Sequence, residues 1–292
     1  RHAWVSGEND NLFWYCTAIA PTLTYLVISG HREPIDNGVL ATLLRGQEVL
    51  VSGRVPDWAL NSAALDYLHK AAYLTHDGRW LTYRQRTDLD TDIFRLGQSF
   101  WPGDDLQPAA PRDLVGEWLV NPMPSRMWLA RGTAFELDQS FQWMSFRSAP
   151  DAAGDFALVD GYNGASRNPY HTYDILELRL AGRTLLEGYM NQVQTSADGM
   201  VEPLVPMDGQ LLYRDVLGPT AIAVGQVPNM PYAGWRRTLA LRTGSYALVV
   251  DDLTFRTDSR NMKASTTWQL TGGVWDASQQ AIRAQVPGWA VH

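Results

Sequence analysis

Between Ser166 and Arg183 the chain passes through three patterns in succession. A polar, turn-prone loop carries Tyr170, His171, Tyr173 and Asp174. From Ile175 to Ala181 the positions then alternate, with Leu176, Leu178 and Leu180 on one side and Ile175, Glu177 and Arg179 on the other. That period of two predicts a strand with one buried face. Ala181-Gly182-Arg183 follows as a tight turn into a second strand, Thr184 to Leu186. Taken alone, the loop reads as an ordinary loop histidine beside a sheet-edge aromatic. The mouth of a rigid sheet is also where titratable groups can be held for chemistry.

Upstream, the pattern is helical. Asn11 to Ser29 carries no charge, but Pro21 and three threonines interrupt it and its length only just reaches the roughly 18–20 residues a membrane span needs. A buried helix, kinked or divided at Pro21, is the expectation. Asn9, Asp10 and Asn11 offer capping side chains at its start. Asp36 to Val51 and Pro56 to Thr75 read as two further helices, the second ended by Asp77-Gly78. From Gly78 to about Pro111 the periodicity fades into an aromatic-rich loop, which for its length is expected to be functional. A short helix over Arg112 to Leu119 closes this part.

Beyond Phe135 short apolar or alternating runs predominate: Phe141 to Arg147, Phe156 to Val159, Ala221 to Val224, Thr238 to Arg242, Tyr246 to Phe255 and Ala264 to Leu270. Trp235 to Phe255 reads as a hairpin turning at Thr243-Gly244-Ser245. Helices first and strands afterwards predict segregated layers or two domains rather than an alternating α/β sheet. We place a helical region with its linker at residues 1–127 and an antiparallel β-sandwich domain at residues 128–292.

Composition narrows the function. A chain of 292 residues with 45% apolar content can bury a large core. A net charge of -7 argues against nucleic acid as a partner. Cys16 is the one cysteine, so neither an internal disulfide nor a cysteine metal site is expected. The chain opens on Arg1 without a charged-then-apolar leader, as a mature product or part of a longer protein would.

Phosphate-cradling loops, a Gly-x-Ser-x-Gly elbow and His-Glu-x-x-His are all missing. His171 and Asp174 could supply two metal ligands, but no third is evident. Carboxylates such as Glu8, Asp88 and Asp90 leave a two-carboxylate glycosidase open. The set Asn9, Asn11, Tyr83, Arg84, Arg86, His171 and Tyr173 suits another reaction, β-elimination on a uronic acid. Removing the proton beside a sugar carboxylate requires that its charge be neutralised first, by amide donors or cations. A base then takes the proton and an acid protonates the departing oxygen; a tyrosine serves where neighbouring arginines lower its pKa. Singly, Asn9 and Asn11 also read as helix caps and Tyr83 as a core aromatic.

Several stretches together resemble the heparinase II/III-like polysaccharide lyases. They are Ser6-Gly7-Glu8-Asn9-Asp10-Asn11, Asp77-Gly78-Arg79-Trp80-Leu81-Thr82-Tyr83-Arg84, Trp143 to Ser148, and Tyr170 to Leu178 with Gly182 to Gly188. The resemblance implies an α+β multidomain fold, part of an (α/α) toroid followed by an antiparallel β-sandwich. It implies a periplasmic or secreted lyase acting on an acidic polysaccharide. Asn9 would neutralise the carboxylate, with Asn11 binding substrate beside it. Tyr83 would be acid and base, or acid alone, His171 neutraliser or base, and Tyr173 a further catalytic group, while Arg84, Arg86 and Tyr170 would hold the anionic sugar. Where family members often carry two histidines in the loop, here only His171 stands. No cofactor is therefore expected, with a structural divalent metal as the alternative. The helical part is short for a whole toroid, so another segment or chain is expected to complete it. A non-catalytic glycan-binding or assembly module on the same scaffold is the rival reading. The lyase reading requires His171 and Tyr83 to border one cleft, with functional atoms within roughly 10 Å.

Overall fold

The structure is a computed structural model. It describes residues 12–50, 62–85, 106–122, 139–163 except 152, 173–187, 191–201 except 192, and 207–291 except 229, 257–260, 273, 277, 279–280 and 284–289.

Helix α1 (Leu12–Ser29) runs unbroken through Pro21. Gly30 ends it at φ 65°, in the left-handed region that only glycine adopts without strain, and its N–H bonds Leu26 O at 3.1 Å. The helix expected from Asp36 starts at Val39 instead. A single turn, α2 (Glu33–Asp36), precedes α3 (Val39–Leu50), and Gly38 at φ 78° separates them. The Asn37 side chain accepts the N–H of Val39 at 3.1 Å and so starts α3. Helix α4 (Ser62–Thr75) matches the C-terminal part of the next predicted helix; residues 56–61 lie outside the described residues.

Two expectations fail between the helices and the strands. The stretch after Gly78 is not loop from its start, because α5 (Arg79–Gln85) forms there. Seven residues are too few to show a period, and the helix instead rests on its caps: Asp77 Oδ1 accepts the N–H of Arg79 and Gly78 O that of Thr82. Nor is Arg112 to Leu119 a helix. It holds one 3-10 turn (Arg112–Leu114) and then strand β1 (Trp118–Pro122). Gly116 at φ 80° turns the chain there, and its N–H bonds Arg147 O at 2.9 Å, laying β1 along the sheet edge.

The remainder is antiparallel sheet, with strands numbered in chain order. The first sheet orders β1, β2 (Phe141–Arg147), β3 (Phe156–Asp160), β5 (Ile175–Leu180) and β6 (Arg183–Glu187). Strand β4 (Tyr162–Asn163) pairs with β9 (Met207–Asp208). The second sheet orders β10 (Gln210–Leu217), β11 (Thr220–Val227), β12 (Ala233–Arg242) and β13 (Tyr246–Phe255). Two smaller sheets join β14 (Lys263–Thr266), β7 (Val193–Ala197) and β8 (Met200–Val201), and β15 (Val274–Asp276), β16 (Ala281–Arg283) and β17 (Ala290–Val291). Every ladder is antiparallel, and the β12–β13 hairpin turns at Thr243–Ser245 as expected. The described chain is mostly antiparallel sheet with few helices, and those helices show no toroid.

Three layers result. One face of the first sheet, with Trp143, Phe156, Leu158 and Leu176, clusters with Leu40, Leu44 and Trp80 of the helices. Its other face, with Phe141, Met144, Val159 and Leu178, meets Ala223, Trp235 and Leu239 of the second sheet. Strand β5 is therefore buried on both faces rather than one. Its simple alternation also breaks. Val159 pairs with Ile175 and Leu158 with Glu177, leaving Leu176 as an extra residue. That bulge turns Leu176 toward the helices while Leu178 and Leu180 face the second sheet.

Candidate functional site

Of the residues proposed for chemistry, Asn9, Asn11, Arg86, Tyr170 and His171 lie outside the described residues, as do the side chains of Tyr83 and Arg84. What the structure shows is the footing of two segments: the helix that carries Tyr83 and the chain leaving the His171 loop.

On the helical side, α5 is fixed at its first turn. Gly78 has no room for a side chain, since a Cβ there would lie 2.0 Å from Gln107 O. Its carbonyl accepts the N–H of Ala109 at 3.0 Å, and Thr82 Oγ1 donates to Ala109 O at 2.7 Å. Trp80 is buried beneath. Arg79 joins three carboxylates, donating Nη1 to Glu48 at 2.9 Å and Asp113 at 3.1 Å, and Nε to Asp77 at 2.7 Å. Burial pulls the Arg79 pKa down, but its hydrogen bond to Glu48 and the three negative charges outweigh that and hold it above its ordinary value. The Glu48 carbonyl in turn accepts from Arg147 Nη2, tying α3 to the first sheet.

On the sandwich side, the loop leaves through Tyr173 and Asp174 into β5. Tyr173 has φ 60°, a left-handed backbone that a bulky residue adopts only when its surroundings impose it. Its ring is 1% exposed and meets Phe141 and Trp235 edge-on, at centroid distances of 5.9 and 6.1 Å. Gly225 makes space for it, because a Cβ there would come within 2.2 Å of the ring. The phenol oxygen has no hydrogen-bond partner among the described residues. Burial raises its pKa above the ordinary tyrosine value; Arg237 works against this and Asp251 with it. A phenol so enclosed is placed to hold the chain rather than to reach a polymer in solvent.

Beneath it lies a buried ionic knot that the sequence reading did not single out. Arg237 forks onto Asp251, Nε to Oδ1 at 2.7 Å and Nη2 to Oδ2 at 2.9 Å. Its Nη1 donates to Tyr173 O at 3.1 Å and to Asn191 O at 2.7 Å. The guanidinium lies against the rings of Trp235 and Trp268, 4.7 and 5.2 Å from their centroids. Asp174 Oδ1 accepts the N–H of Asn191 at 2.7 Å; Asn191 Nδ2 donates to Ile175 O at 2.9 Å, and its Oδ1 accepts from Gln269. One signal was legible: Ala233, Trp235, Arg237, Leu239 and Leu241 share the inward register of β12, so a charge stands in an apolar row, directly opposite Asp251.

Among the described residues no three His, Cys, Asp or Glu side chains gather where a metal ion could sit. No described helix is long and apolar enough to cross a membrane.

No protein-family profile matches the chain. No curated protein matches it either. Solved structures do. A mutant of the heparan sulfate lyase HepC from Pedobacter heparinus is similar over 96% of this chain and 44% of its own, with a TM-score of 0.63 at 12% identity. A heparinase III structure is similar over 96% of this chain and 45% of its own, with a TM-score of 0.62 at 12% identity. The chain shares its fold with these lyases. It spans less than half the length of either. At such low identity the relationship is distant and the likeness is one of fold.

Proposed function

We propose that the protein is a polysaccharide lyase that cleaves a uronate-containing acidic polysaccharide by β-elimination. The observation that carries this reading is the fold likeness, over 96% of the chain, to two structures described as a heparan sulfate lyase and a heparinase. The residue set at the helix start, on α5 and in the loop before β5 supports it, because it provides what elimination needs.

In this reading Asn9, with Asn11 beside it, donates to the uronate carboxylate and offsets its charge, so the neighbouring carbon becomes acidic enough to ionise. Tyr83 or His171 takes that carbon's proton. The electron pair left behind forms a carbon–carbon double bond as the glycosidic carbon–oxygen bond breaks. Tyr83 delivers a proton to the departing oxygen, so no water is consumed. Arg84, Arg86 and Tyr170 hold the anionic chain. Tyr173 contributes from the core, by fixing the exit of the His171 loop. Part of a helical toroid would supply the opposite wall of the cleft. Such a polymer is met in the periplasm or outside the cell.

Elimination leaves a conjugated double bond that absorbs in the near ultraviolet, and hydrolysis does not. Incubation with heparan sulfate, chondroitin, hyaluronan and alginate should raise that absorbance on at least one. Tyr83→Phe and His171→Ala should each lower the rate by about 100-fold or more, with little change in melting temperature. Reducing ends without absorbance would establish a two-carboxylate glycosidase instead. A second reading, a glycan-binding module on the same scaffold, is favoured by the single histidine, His171, in its stretch of the chain and by the net charge of -7. Tight oligosaccharide binding without turnover, unchanged by Tyr83→Phe, would establish it.

A further inference from the structure

We infer that Arg237 is a positioning residue for the site: it clamps the exit of the loop carrying His171 onto the second sheet. The inference rests on the lyase reading for its functional consequence and on geometry for the clamp itself. Three observations meet at one peptide. Tyr173 holds a left-handed backbone at φ 60°, its ring fills the space left by Gly225, and its carbonyl accepts from Arg237 Nη1 at 3.1 Å. The same Nη1 takes Asn191 O at 2.7 Å, and Asn191 reaches back to Asp174 and Ile175, so Tyr173 and Asn191, on either side of the β5–β6 hairpin, are held from one guanidinium.

A purely structural need would not select this arrangement. Arg237 is 1% exposed and its neighbours in the inward row are apolar. Burying an ion pair there is costly, and apolar residues of similar volume are as stable or more so. What the fork adds is direction: its planar donors engage Asp251 and the two carbonyls in one fixed geometry. The strained Tyr173 backbone is kept where chain relaxation would otherwise move it. His171 precedes Tyr173 by two residues, so the clamp limits where its imidazole can stand.

The test is the double variant Arg237→Met/Asp251→Leu, which removes both charges together. It should unfold within a few degrees of the wild type. Hydrogen exchange should nevertheless quicken about tenfold in peptides covering Tyr173–Asp174 and Asn191, while peptides from β11 keep their protection. On the polysaccharide that the wild type cleaves, kcat should fall about tenfold with KM within roughly twofold, the mark of lost alignment rather than lost binding. Should the double variant not fold, Arg237→Lys, which keeps charge but loses the fork, is read in the same way. A folded variant with wild-type exchange at Tyr173–Asp174 overturns the clamp whether or not the protein is a lyase. Faster exchange with wild-type kcat overturns the positioning role. A wild type without turnover on any polymer overturns the lyase reading and with it that role, and exchange then decides the clamp alone.

Discussion

The two segments that would face each other across the cleft are secured by opposite means. The helical footing is an ionic cluster partly open to water: Arg79 is 25% exposed, its partners Asp77 and Asp113 are 34% and 58% exposed, and only Glu48, at 6%, is buried. The sandwich footing is an ion pair in the core, with Arg237 at 0% and Asp251 at 14% side-chain exposure, pressed between two indoles. Charges shared with water tolerate rearrangement and weaken with salt, whereas a desolvated fork has one geometry and fails when half of it is removed. The difference teaches which side yields. Under the proposed lyase function, the sandwich would present a fixed edge and adjustment around a polymer would fall to the helices.

The hardest blow to the contrast is Arg237→Met alone. Leaving Asp251 buried without its partner should lower stability by about 3–5 kcal/mol, read by denaturant titration. A loss below about 1 kcal/mol would mean the core pair behaves like a surface one. On the helical side, Asp113→Asn should cost about 1 kcal/mol or less, because Asp113 is exposed and Arg79 keeps Glu48 and Asp77. That deficit should shrink at high salt, while the Arg237→Met deficit should not. Equal salt dependence of the two would erase the distinction.

The smallest effect concerns Tyr173. Its hydroxyl has no partner among the described residues, so Tyr173→Phe should be neutral or stabilising by up to about 1 kcal/mol at neutral pH. The two proteins should part in alkali. Burial raises the folded phenol's pKa above the ordinary value of 10.0. Below that value both states keep the proton and no stability is lost. As pH rises past it the unfolded chain releases the proton while the folded chain retains it, so the native state loses stability. The Phe variant lacks this component and should unfold later on raising the pH. Coincident alkaline transitions would show that the ring is less enclosed than the structure has it.

Much of the sandwich was legible because its strands advertise themselves. Strands β2 and β13 span the predicted runs Phe141 to Arg147 and Tyr246 to Phe255, which stand out as short, largely apolar stretches between turn residues. The reading of β5 went astray on one extra residue, since a bulge at Leu176 changes which face later side chains take and periodicity cannot register it. Helix α5 was missed because its stability comes from Asp77, Gly78 and Ala109 rather than from a repeating apolar face. Strand β1 resembles a helix in sequence because its apolar residues follow Leu114 and Val115 at helical spacing, and the turn at Gly116 between them leaves that spacing unchanged. Arg237 passed for one residue of a sandwich strand, though its inward parity marked it. Residue type singled out Asn9, Tyr83 and His171, but which groups share a cleft depends on long-range packing that no local pattern encodes.

Whether the two sides do share a cleft is the claim on which the rest depends. A crystal structure with an acidic oligosaccharide bound would measure it directly, as the distance between the His171 imidazole and the Tyr83 hydroxyl. The account predicts functional atoms within roughly 10 Å of each other, on either side of one sugar. The two groups on opposite faces of the molecule, or separated by two or three times that distance with the sugar elsewhere, would contradict it.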